Sequence, residues 1–234
     1  MVFNQIIELL DSLPFNEMKL NIQKWKSGCE EYNHFYKDLL ESAQWSDFSA
    51  CLTLKKIIPQ GYKLHLGNSM PVRYFSLMGA DAELFYFCNR GVSGIDGCLS
   101  TAVGAAYASD SKVLLVLGDI SFFYDVNGLW QEKLPENLKI VILNNGGGGI
   151  FGLIDGPGAL PELNRLFAAE HQLNSKDIAN HFNIPYLVIK NEKELNDCSY
   201  DFFNKDGIVI MEILTEKENN SEVFKNIKSK LNAK

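Results

Sequence analysis

The sequence predicts an α/β protein with a doubly wound, mainly parallel sheet and helices on both of its faces. From Ser46 onward, short apolar runs alternate with helix-like segments, an order that is typical of consecutive βαβ units. Residues 113–117 are apolar without alternation, which indicates a strand that is covered on both faces. Together these observations favour a parallel sheet buried between two layers of helices.

The strands are predicted from apolar runs, and the helices from the segments between them. Strands are expected at residues 63–66, 84–87, 113–117, 139–143, 186–189 and 207–213. Helices are expected at residues 47–57, 71–78, 95–108, 122–131, 160–167, 176–182, 192–198 and 222–231. In the third of these helices, the run Gly104-Ala105-Ala106 suits close packing of the helix on the sheet.

The first 45 residues differ in style from the rest. They are helix-like and polar, they are interrupted at Leu13-Pro14, and they contain no predicted strand. One helical face is indicated by residues at three- and four-residue steps, namely Ile22, Trp25, Cys29, Tyr32 and Tyr36. Because this part has no core of its own, we expect residues 1–45 to be a linker or the tail of a missing neighbouring domain. Residues 46–234 are then expected to form the α/β domain.

Composition narrows the possible functions. The chain has 22 basic and 29 acidic residues, and a net charge of −7 argues against non-specific nucleic-acid binding. No apolar run approaches the ~20 residues that span a bilayer, and the first residues do not resemble a signal peptide, so we expect a cytoplasmic location. The five cysteines are scattered without a Cys-x-x-Cys pair, which favours reduced thiols over disulfides or a zinc site.

Polar residues follow two of the predicted strands directly, as Gly118-Asp119 and as Asn144-Asn145. Because these strands are predicted to be parallel neighbours, their C-terminal ends should lie side by side, where open α/β sheets bind ligands. Mg²⁺ takes one or two carboxylates or carbonyls from a protein and leaves its other positions to phosphates and water. A carboxylate, an amide oxygen and the bare backbone of residues 146–149 therefore predict a cation site with room for a phosphate, beside a helix that starts near Ser121.

Each of these motifs taken alone is more typical of an ordinary turn. Their combination is more specific, because each one ends a buried strand and Asn145 follows Asp119 by 26 positions. There is no Gly-x-Gly-x-x-Gly after the first strand and no Gly-x-x-x-x-Gly-Lys-Ser/Thr anywhere in the chain. The sequence therefore lacks the fingerprints of NAD-binding and P-loop proteins.

This pair of motifs resembles the diphosphate and Mg²⁺ motif of thiamine-diphosphate enzymes. Four longer stretches resemble one branch of that family, the synthases of menaquinone biosynthesis. They are Asn-Ser-Met-Pro-Val-Arg at 68–73, Asn-Arg-Gly-Val-Ser-Gly-Ile-Asp-Gly at 89–97, Gly-Asp-Ile-Ser-Phe at 118–122 and the segment 144–151. The first two are specific to that branch, and the resemblance runs from about residue 46 to the end of the chain, so residues 46–234 are expected to form a thiamine-diphosphate-binding domain.

The resemblance implies a transferase that uses thiamine diphosphate with Mg²⁺ or Mn²⁺. Its substrates would be 2-oxoglutarate, which is decarboxylated, and isochorismate, which receives the resulting succinic-semialdehyde unit. The resemblance also implies a glutamate on an N-terminal pyrimidine-binding domain of a partner subunit, and this sequence contains nothing similar to that domain. We therefore expect the chain to be the C-terminal part of a homodimeric or homotetrameric enzyme, and to be inactive alone.

The resemblance also implies roles for individual residues. Asp119, the Asn145 side chain and the Gly147 carbonyl would bind the metal ion. The residues expected to contact the cofactor are Ile95, Gly118, Asp119, Ile120, Ser121, Asn145, Gly147, Gly148, Phe151 and Ile154. Ile95 would be a wedge that holds the two rings of the cofactor in a bent shape, and Phe151 and Ile154 would be apolar walls. For Ile95, Phe151 and Ile154, ordinary core packing is an open alternative.

Ser69, Arg73 and Arg90 are the candidates for binding substrate carboxylates. Arginine offers a planar fork for a carboxylate, and both arginines follow predicted strands at the ligand edge of the sheet. Surface arginines, and Ser69 as the N-cap of the next helix, are the alternatives.

The chain departs from the family pattern at Gly146, where a third asparagine is common, and at Tyr74, where an acidic residue is common. Two other functions stay open. One is a different thiamine-diphosphate enzyme, such as an acetolactate-synthase-like protein or an oxo-acid decarboxylase. The other is a non-catalytic module that only dimerises.

Overall fold

The computed structural model describes Glu8, residues 21–28, Glu30, and residues 44–81, 83–153 and 156–232. The chain divides into two units, Met1–Ala43 and Gln44–Lys234. In the first unit residues 21–28 are helical; Ile22 on the predicted apolar face is buried and Trp25 is mostly exposed. The other members of that face, Cys29, Tyr32 and Tyr36, lie outside the described residues. All of the following concerns the second unit.

One parallel sheet forms the centre of the second unit, and within the described residues it has six strands. The strands are β1 (Lys63–Leu66), β2 (Phe85–Phe87), β3 (Val113–Gly118), β4 (Leu138–Asn144), β5 (Tyr186–Ile189) and β6 (Val209–Leu214). Their order is β2-β1-β3-β4-β6-β5, and every neighbouring pair is parallel. Gly118 is opposite Leu143, so β3 and β4 end next to each other. The predicted doubly wound parallel sheet is confirmed.

Helices connect the strands. The α-helices are α1 (Asp47–Ile57), α2 (Met70–Leu77), α3 (Cys98–Tyr107), α4 (Asp119–Tyr124), α5 (Lys176–His181), α6 (Glu192–Asn204) and α7 (Lys217–Asn232). Short 3₁₀ turns occur at Val126–Leu129, Gly149–Leu153 and Pro157–Ala159, and a π-helical turn occurs at Leu163–Phe167. Within the part that the structure describes, no helix is long and apolar enough to cross a bilayer.

Each predicted strand is found within two residues of its expected bounds, but some helices differ. The helix expected at 122–131 begins earlier, at Asp119, and ends at Tyr124. It ends there because the Asp125 side chain accepts hydrogen bonds from the backbone N–H and the hydroxyl of Ser100. The helix expected at 95–108 begins only at Cys98, because Gly97 before it adopts a left-handed conformation with φ of 72°. The single helix expected at 160–167 is replaced by the separate 3₁₀ and π-helical turns.

Alternate residues of the central strands supply the two halves of the core. On one face, Leu115 and Leu117 of β3 pack with Ile140 of β4 against Leu99 and Val103 of α3. On the other side of the unit, aromatic edge contacts join helices, Phe48 with Tyr74 and Tyr74 with Phe224. A third contact joins Tyr62, just before β1, to Phe203 of α6. Both faces of β3 and β4 are therefore buried, as their unbroken apolar runs predicted.

The first turn of α1 is fixed tightly to the end of β6. Ser46 caps α1 in a reciprocal pair of hydrogen bonds with Ser49. Trp45 donates its indole N–H to the Leu214 carbonyl at 3.0 Å, and the Asp47 backbone N–H donates to Asn220 Oδ1 at 2.7 Å. These contacts bring Asp47 to the C-terminal edge of the sheet, where β3 and β4 end.

A fully buried carboxylate supports the chain that follows β4. Glu212, in β6, accepts hydrogen bonds from Asn144 Nδ2 at 2.9 Å and from the N–H and hydroxyl of Ser175. Tyr186 donates its hydroxyl to the same carboxylate. Because a buried carboxylate must be satisfied by several donors, Glu212 fixes the position of Asn144 and the loop before α5.

Candidate functional site

A cavity of about 390 Å³ opens at the C-terminal ends of β1, β3 and β4. Ten of the predicted site residues line it, namely Ser69, Ile95, Gly118, Asp119, Ile120, Ser121, Asn145, Gly147, Gly148 and Phe151. Ile154 lies outside the described residues. The cavity is located where a doubly wound sheet binds its ligands, since the polar ends of neighbouring parallel strands meet there.

Asp119 forms the floor of the cavity and is only 2% exposed. Its Oδ1 accepts from the Ile120 N–H at 2.7 Å, and its Oδ2 accepts from the N–H groups of Gly146 and Gly147 at 2.9 and 3.0 Å. The pKa of Asp119 is raised to about 7, chiefly by burial and also by the negative charge of Asp47, while the three N–H donors act in the opposite direction. A cation bound here would favour the ionised carboxylate.

The turn after β4 needs its glycines. Gly146 and Gly147 have φ values of 76° and 151°, a region that residues with a Cβ atom rarely adopt. A Cβ on Gly147 would lie 2.6 Å from the Ala168 carbonyl oxygen, which also accepts from the Gly148 N–H at 2.6 Å. The backbone of residues 147–149 therefore lines the cavity without side chains, and the N–H groups of Gly146 and Gly147 bond to Asp119.

Asn145 presents the two ends of its amide to different surroundings. Its Nδ2 donates to Asp47 Oδ2 at 2.7 Å. Its Oδ1 is buried, and among the described residues nothing donates a hydrogen bond to it. A buried amide oxygen without a donor is costly unless a ligand satisfies it, and amide oxygens are ligands for hard cations such as Mg²⁺. The observed oxygens of Asn145 and Asp119 thus fit a divalent cation.

This donor set also indicates which metals fit. In the part of the chain that the structure describes, no three His, Cys, Asp or Glu side chains gather to form a metal site. The available donors are one carboxylate, one amide oxygen and backbone carbonyls, so a large share of the coordination must come from a ligand and water. Mg²⁺ and Mn²⁺ favour such oxygen donors, whereas zinc favours histidine and cysteine.

His171 lies beside Asp119, with 3.4 Å between its Nε2 and Asp119 Oδ2. This distance is within ion-pair range, but the geometry does not make a hydrogen bond. Burial lowers the pKa of His171, and the charge of Glu212 raises it in part. The backbone N–H of His171 donates to the Gly146 carbonyl at 3.0 Å, so the loop that carries His171 also supports the glycine turn.

Apolar groups form the opposite side of the cavity. Ile95 is half-buried in the loop before α3, and its carbonyl accepts a hydrogen bond from the Ser121 hydroxyl. Phe151 faces Phe167 with 6.1 Å between ring centroids. Tyr124, at the rim, is 66% exposed. Ile95 is thus a loop residue rather than the first residue of a helix, and the cavity has one polar and one apolar side.

The two predicted substrate arginines are exposed and do not line this cavity. Arg73 and Arg90 line a neighbouring pocket of about 410 Å³ together with Phe224 of α7. Arg90 donates to Asn68 Oδ1 at 2.9 Å, and Arg73 donates to the Ser69 carbonyl at 2.5 Å. Because Asn68 and Ser69 line the first cavity, these hydrogen bonds join the two pockets.

Ser69 begins α2 but makes no capping hydrogen bond with its side chain. Its φ of 74° is unusual for a residue other than glycine. Ser69 is therefore at the N-cap position of α2, as the alternative interpretation predicted, but its side chain makes no capping hydrogen bond and its hydroxyl group stays available at the cavity. A residue held in this strained region is typical of a functional site.

Three polar residues at or beside the site were assigned no role from the sequence, namely Asp47, Asn68 and His171. Asp47 lies 98 positions before Asn145, and it resembles any acidic residue in the first turn of a helix. Asn68 does follow a strand and begins one of the recognised motifs, which was a usable signal. His171 lies in a loop without metal-ligand spacing, so only the fold brings it to Asp119.

Comparisons with known proteins agree with this geometry. Residues 69–213 match the family "Thiamine pyrophosphate enzyme, C-terminal TPP binding domain". The chain is also similar to curated proteins named 2-succinyl-5-enolpyruvyl-6-hydroxy-3-cyclohexene-1-carboxylate synthase. It is 39% identical to the protein of Christiangramia forsetii over 192 residues, which cover 82% of this chain and 33% of that protein.

Two further relatives with the same name are similar over more of this chain. The protein of Cytophaga hutchinsonii is 39% identical over 221 residues, 91% of this chain and 39% of its own length. The protein of Flavobacterium psychrophilum is 36% identical over 224 residues, 96% of this chain and 40% of its own length. The chain thus spans about a third to two fifths of the length of the relatives it matches.

The family match includes the ends of β3 and β4, with Asp119, Asn145 and the glycine turn. The parallel sheet, the cavity at its C-terminal edge and the oxygen donors in that cavity agree with this match. The chain belongs to the thiamine pyrophosphate enzyme family and contains its C-terminal TPP-binding domain.

Proposed function

We propose that the chain is the diphosphate- and metal-binding domain of a 2-succinyl-5-enolpyruvyl-6-hydroxy-3-cyclohexene-1-carboxylate synthase, a transferase of menaquinone biosynthesis. The observation that carries this proposal is the convergence of Asp119 and the unsatisfied Asn145 Oδ1 at one end of a cavity. Three relatives with that name, each at least 36% identical, support the choice of this synthase within the family.

In this proposal a Mg²⁺ or Mn²⁺ ion binds to Asp119, to Asn145 Oδ1 and to the Gly147 carbonyl, and the remaining positions are left to the diphosphate and water. Gly118, Ile120, Ser121 and Gly148 line the same end of the cavity and would contact the diphosphate. The bare backbone of the glycine turn allows the diphosphate to approach closely, because no side chain projects there.

The apolar side of the cavity would hold the rings of the cofactor. Thiamine diphosphate, when bound, supplies the reactive thiazolium carbon at which an oxo acid is decarboxylated. Ile95 would hold the two rings in a bent arrangement, and Phe151 would cover one of them. Ile154 belongs to the same proposed wall, although it lies outside the described residues.

Ser69, Arg73 and Arg90 would bind the carboxylates of 2-oxoglutarate and isochorismate. Both substrates carry carboxylates, and the two guanidinium groups lie in one pocket beside the cofactor cavity. Two exposed arginines fit dicarboxylates better than the small monocarboxylates of acetolactate-synthase-like enzymes. Because the arginines lie in a separate pocket from Asp119 and Asn145, which would bind the cation, substrate and cofactor binding would use different residues.

The remainder of the active site would come from an N-terminal pyrimidine-binding domain of a partner subunit. That domain would supply the glutamate that acts on the aminopyrimidine ring. We propose a cytoplasmic homodimer or homotetramer as the complete enzyme, with residues 1–45 as a linker or tail and residues 46–234 as the cofactor domain.

Measurement of synthase turnover tests this proposal. The purified chain is given 2-oxoglutarate, isochorismate, thiamine diphosphate and Mg²⁺, with and without the N-terminal two thirds of a related synthase. We expect no turnover from the chain alone, because a general acid–base group of this kind contributes about 10²–10⁴-fold, and measurable turnover from the mixture. Turnover by the chain alone would contradict the proposal, and a non-catalytic dimerising module would give no turnover in either case.

A further inference from the structure

The side-chain amide of Asn145 has two possible orientations of the same shape, which differ by a rotation about the last side-chain bond. In one, the amide oxygen, which can bind a cation, faces the cavity. In the other, the NH₂ group, which repels cations, faces it. Asp47 Oδ2 lies 2.7 Å from Asn145 Nδ2. Both oxygens of the Asp47 carboxylate accept hydrogen bonds, Oδ1 from Thr215 and Oδ2 from Asn145, so Asp47 selects the orientation in which the NH₂ group faces it and Oδ1 faces the cavity.

The Asp47 carboxylate is itself held in place by a closed ring of hydrogen bonds. The Asp47 N–H donates to Asn220 Oδ1 at 2.7 Å, and Asn220 Nδ2 donates to Thr215 Oγ1 at 3.0 Å. The Thr215 hydroxyl then donates to Asp47 Oδ1 at 2.6 Å. Asp47 is 1% exposed, so solvent does not compete for these bonds. The ring uses Oδ1 and leaves Oδ2 for Asn145.

We propose that Asp47 is a positioning residue for the metal site, which turns the amide oxygen of Asn145 towards the cation. Asp47 also lines the cavity, but its Oδ1 is bonded to Thr215 and its Oδ2 to Asn145, so we assign it no direct bond to the cation and a role only through Asn145. Residues that orient metal ligands typically change metal affinity about 10–100-fold when they are replaced. This inference rests on the proposed function only for the identity of the cation that the oxygen meets.

Asp47→Asn is the informative variant because it keeps the shape of the side chain. Thr215 still donates to the oxygen of the new amide, so the new NH₂ group faces Asn145. Asn145 is then expected to turn its oxygen towards position 47 and its nitrogen towards the cation. In the double variant Asp47→Asn with Asn145→Asp, the new carboxylate accepts from position 47 and still presents an oxygen to the cation, at unchanged total charge.

The first measurement is the affinity for Mn²⁺, from the electron paramagnetic resonance signal of free Mn²⁺. It uses the chain assembled with the N-terminal part of a related synthase and saturated with thiamine diphosphate. We expect Asp47→Asn to weaken Mn²⁺ binding at least about tenfold, and the double variant to bind within about threefold of the wild type. Wild-type affinity in Asp47→Asn, or no recovery in the double variant, would overturn the proposal.

A third variant separates orientation from charge. Asp47→Ala removes the same charge as Asp47→Asn but leaves the Asn145 amide free to turn its oxygen to the cation. Positioning predicts weaker Mn²⁺ binding in Asp47→Asn than in Asp47→Ala, whereas a pure charge effect predicts equal losses and would overturn the proposal. Asp125→Asn is the matched control, since Asp125 is also buried and bonded to an N–H and a hydroxyl, but away from the cavity. It should leave Mn²⁺ affinity unchanged.

The second measurement needs neither metal nor cofactor. In the chain alone, hydrogen exchange of the Asn145 side-chain NH₂ group is followed by NMR, with exposed Asn196 as the reference. Slow exchange at Asn145 in the wild type, and faster exchange in Asp47→Ala, is the expected result. Exchange as fast as at Asn196 would overturn the proposal. If the wild type binds no Mn²⁺ with thiamine diphosphate, the proposed function fails, and this measurement still decides the orientation.

Discussion

Asp119 Oδ2 accepts a hydrogen bond from the Gly147 N–H at 3.0 Å, although the two residues are 28 positions apart. The contact joins the end of β3 to the turn after β4, and it depends on the adjacent parallel pairing of these strands. It holds the Asp119 carboxylate against the backbone of the glycine turn, and both residues line the cavity. The pair therefore links the stability of the turn to the position of the carboxylate that we propose as a metal ligand.

Asp119→Asn is expected to abolish metal-dependent cofactor binding while the fold is retained. The amide keeps an oxygen for the N–H groups of Gly146 and Gly147, but it lacks the charge that a divalent cation requires. Replacement of a residue that only orients a metal ligand changes metal affinity about 10–100-fold. Loss of the ligand itself should therefore weaken Mg²⁺ binding more than about 100-fold. Titration calorimetry with thiamine diphosphate measures the affinity, and circular dichroism reports the fold.

Unchanged cofactor affinity in Asp119→Asn would remove Asp119 from the metal site. Loss of the folded spectrum would show instead that the residue is chiefly structural. Asp119→Ala should bind equally poorly, and it should also be less stable, because it leaves the buried Gly147 N–H without its acceptor, whereas the Gly146 N–H keeps Asn144 Oδ1.

Gly147→Ala is expected to destabilise the domain by roughly 1–3 kcal/mol, the range for a strained backbone. The new Cβ would lie 2.6 Å from the Ala168 carbonyl oxygen, and the φ of 151° does not suit alanine. Urea unfolding followed by circular dichroism measures the free energy. Gly104→Ala is the control: no atom lies within 4 Å of its Cβ, so this change in α3 should stabilise by about 0.5–1 kcal/mol. A neutral Gly147→Ala would contradict the need for bare backbone.

Arg73→Ala and Arg90→Ala are expected to weaken substrate use more than cofactor binding. Both side chains line the second pocket, and neither is a proposed ligand of the cation. A charge-assisted hydrogen bond is worth about 1.5–3 kcal/mol, so each loss should lower kcat/KM at least ~10-fold in the assembled enzyme. The affinity for thiamine diphosphate should change by only a small factor. Lys193→Ala, which removes an exposed charge from α6, should leave both quantities unchanged.

The two arginines should also differ from each other. Arg90 holds the side chain of Asn68, which lines the cofactor cavity, whereas Arg73 donates to the backbone carbonyl of Ser69. We therefore expect Arg90→Ala to have the larger secondary effect on cofactor affinity. If cofactor affinity collapses in both variants and kcat/KM of the saturated enzyme is normal, the arginines belong to the diphosphate site.

The strands were predictable because they are buried on both faces. Residues 113–117 and 139–143 read as continuous apolar runs, and the polar residues that follow them must then lie at the sheet edge. The helix bounds were less predictable, since they depend on tertiary contacts. Asp125 ends α4 by bonding to Ser100, and no local signal reveals that bond.

The site residues that follow the strands could be predicted from the sequence, but the residues that hold them in position could not. Asp119 and Asn145 are marked by their positions after strands, while Asp47 reaches Asn145 only because α1 packs at the end of β6. Glu212, which bonds to Asn144, lies within an otherwise apolar strand, so the pattern predicted only a strand residue there. Gly104 shows the opposite error: its small size suggested close packing, but the structure leaves it exposed with no atom near its Cβ.

The most direct test of the central claim is metal-dependent binding of thiamine diphosphate. The chain, together with the N-terminal part of a related synthase, is titrated with thiamine diphosphate by calorimetry, first with Mg²⁺ and then with EDTA in its place. We expect saturable binding with Mg²⁺, loss of binding in EDTA, and loss of binding in Asp119→Asn with Mg²⁺ present. Binding that is equally tight in EDTA, or that survives in Asp119→Asn, would contradict the assignment of this cavity.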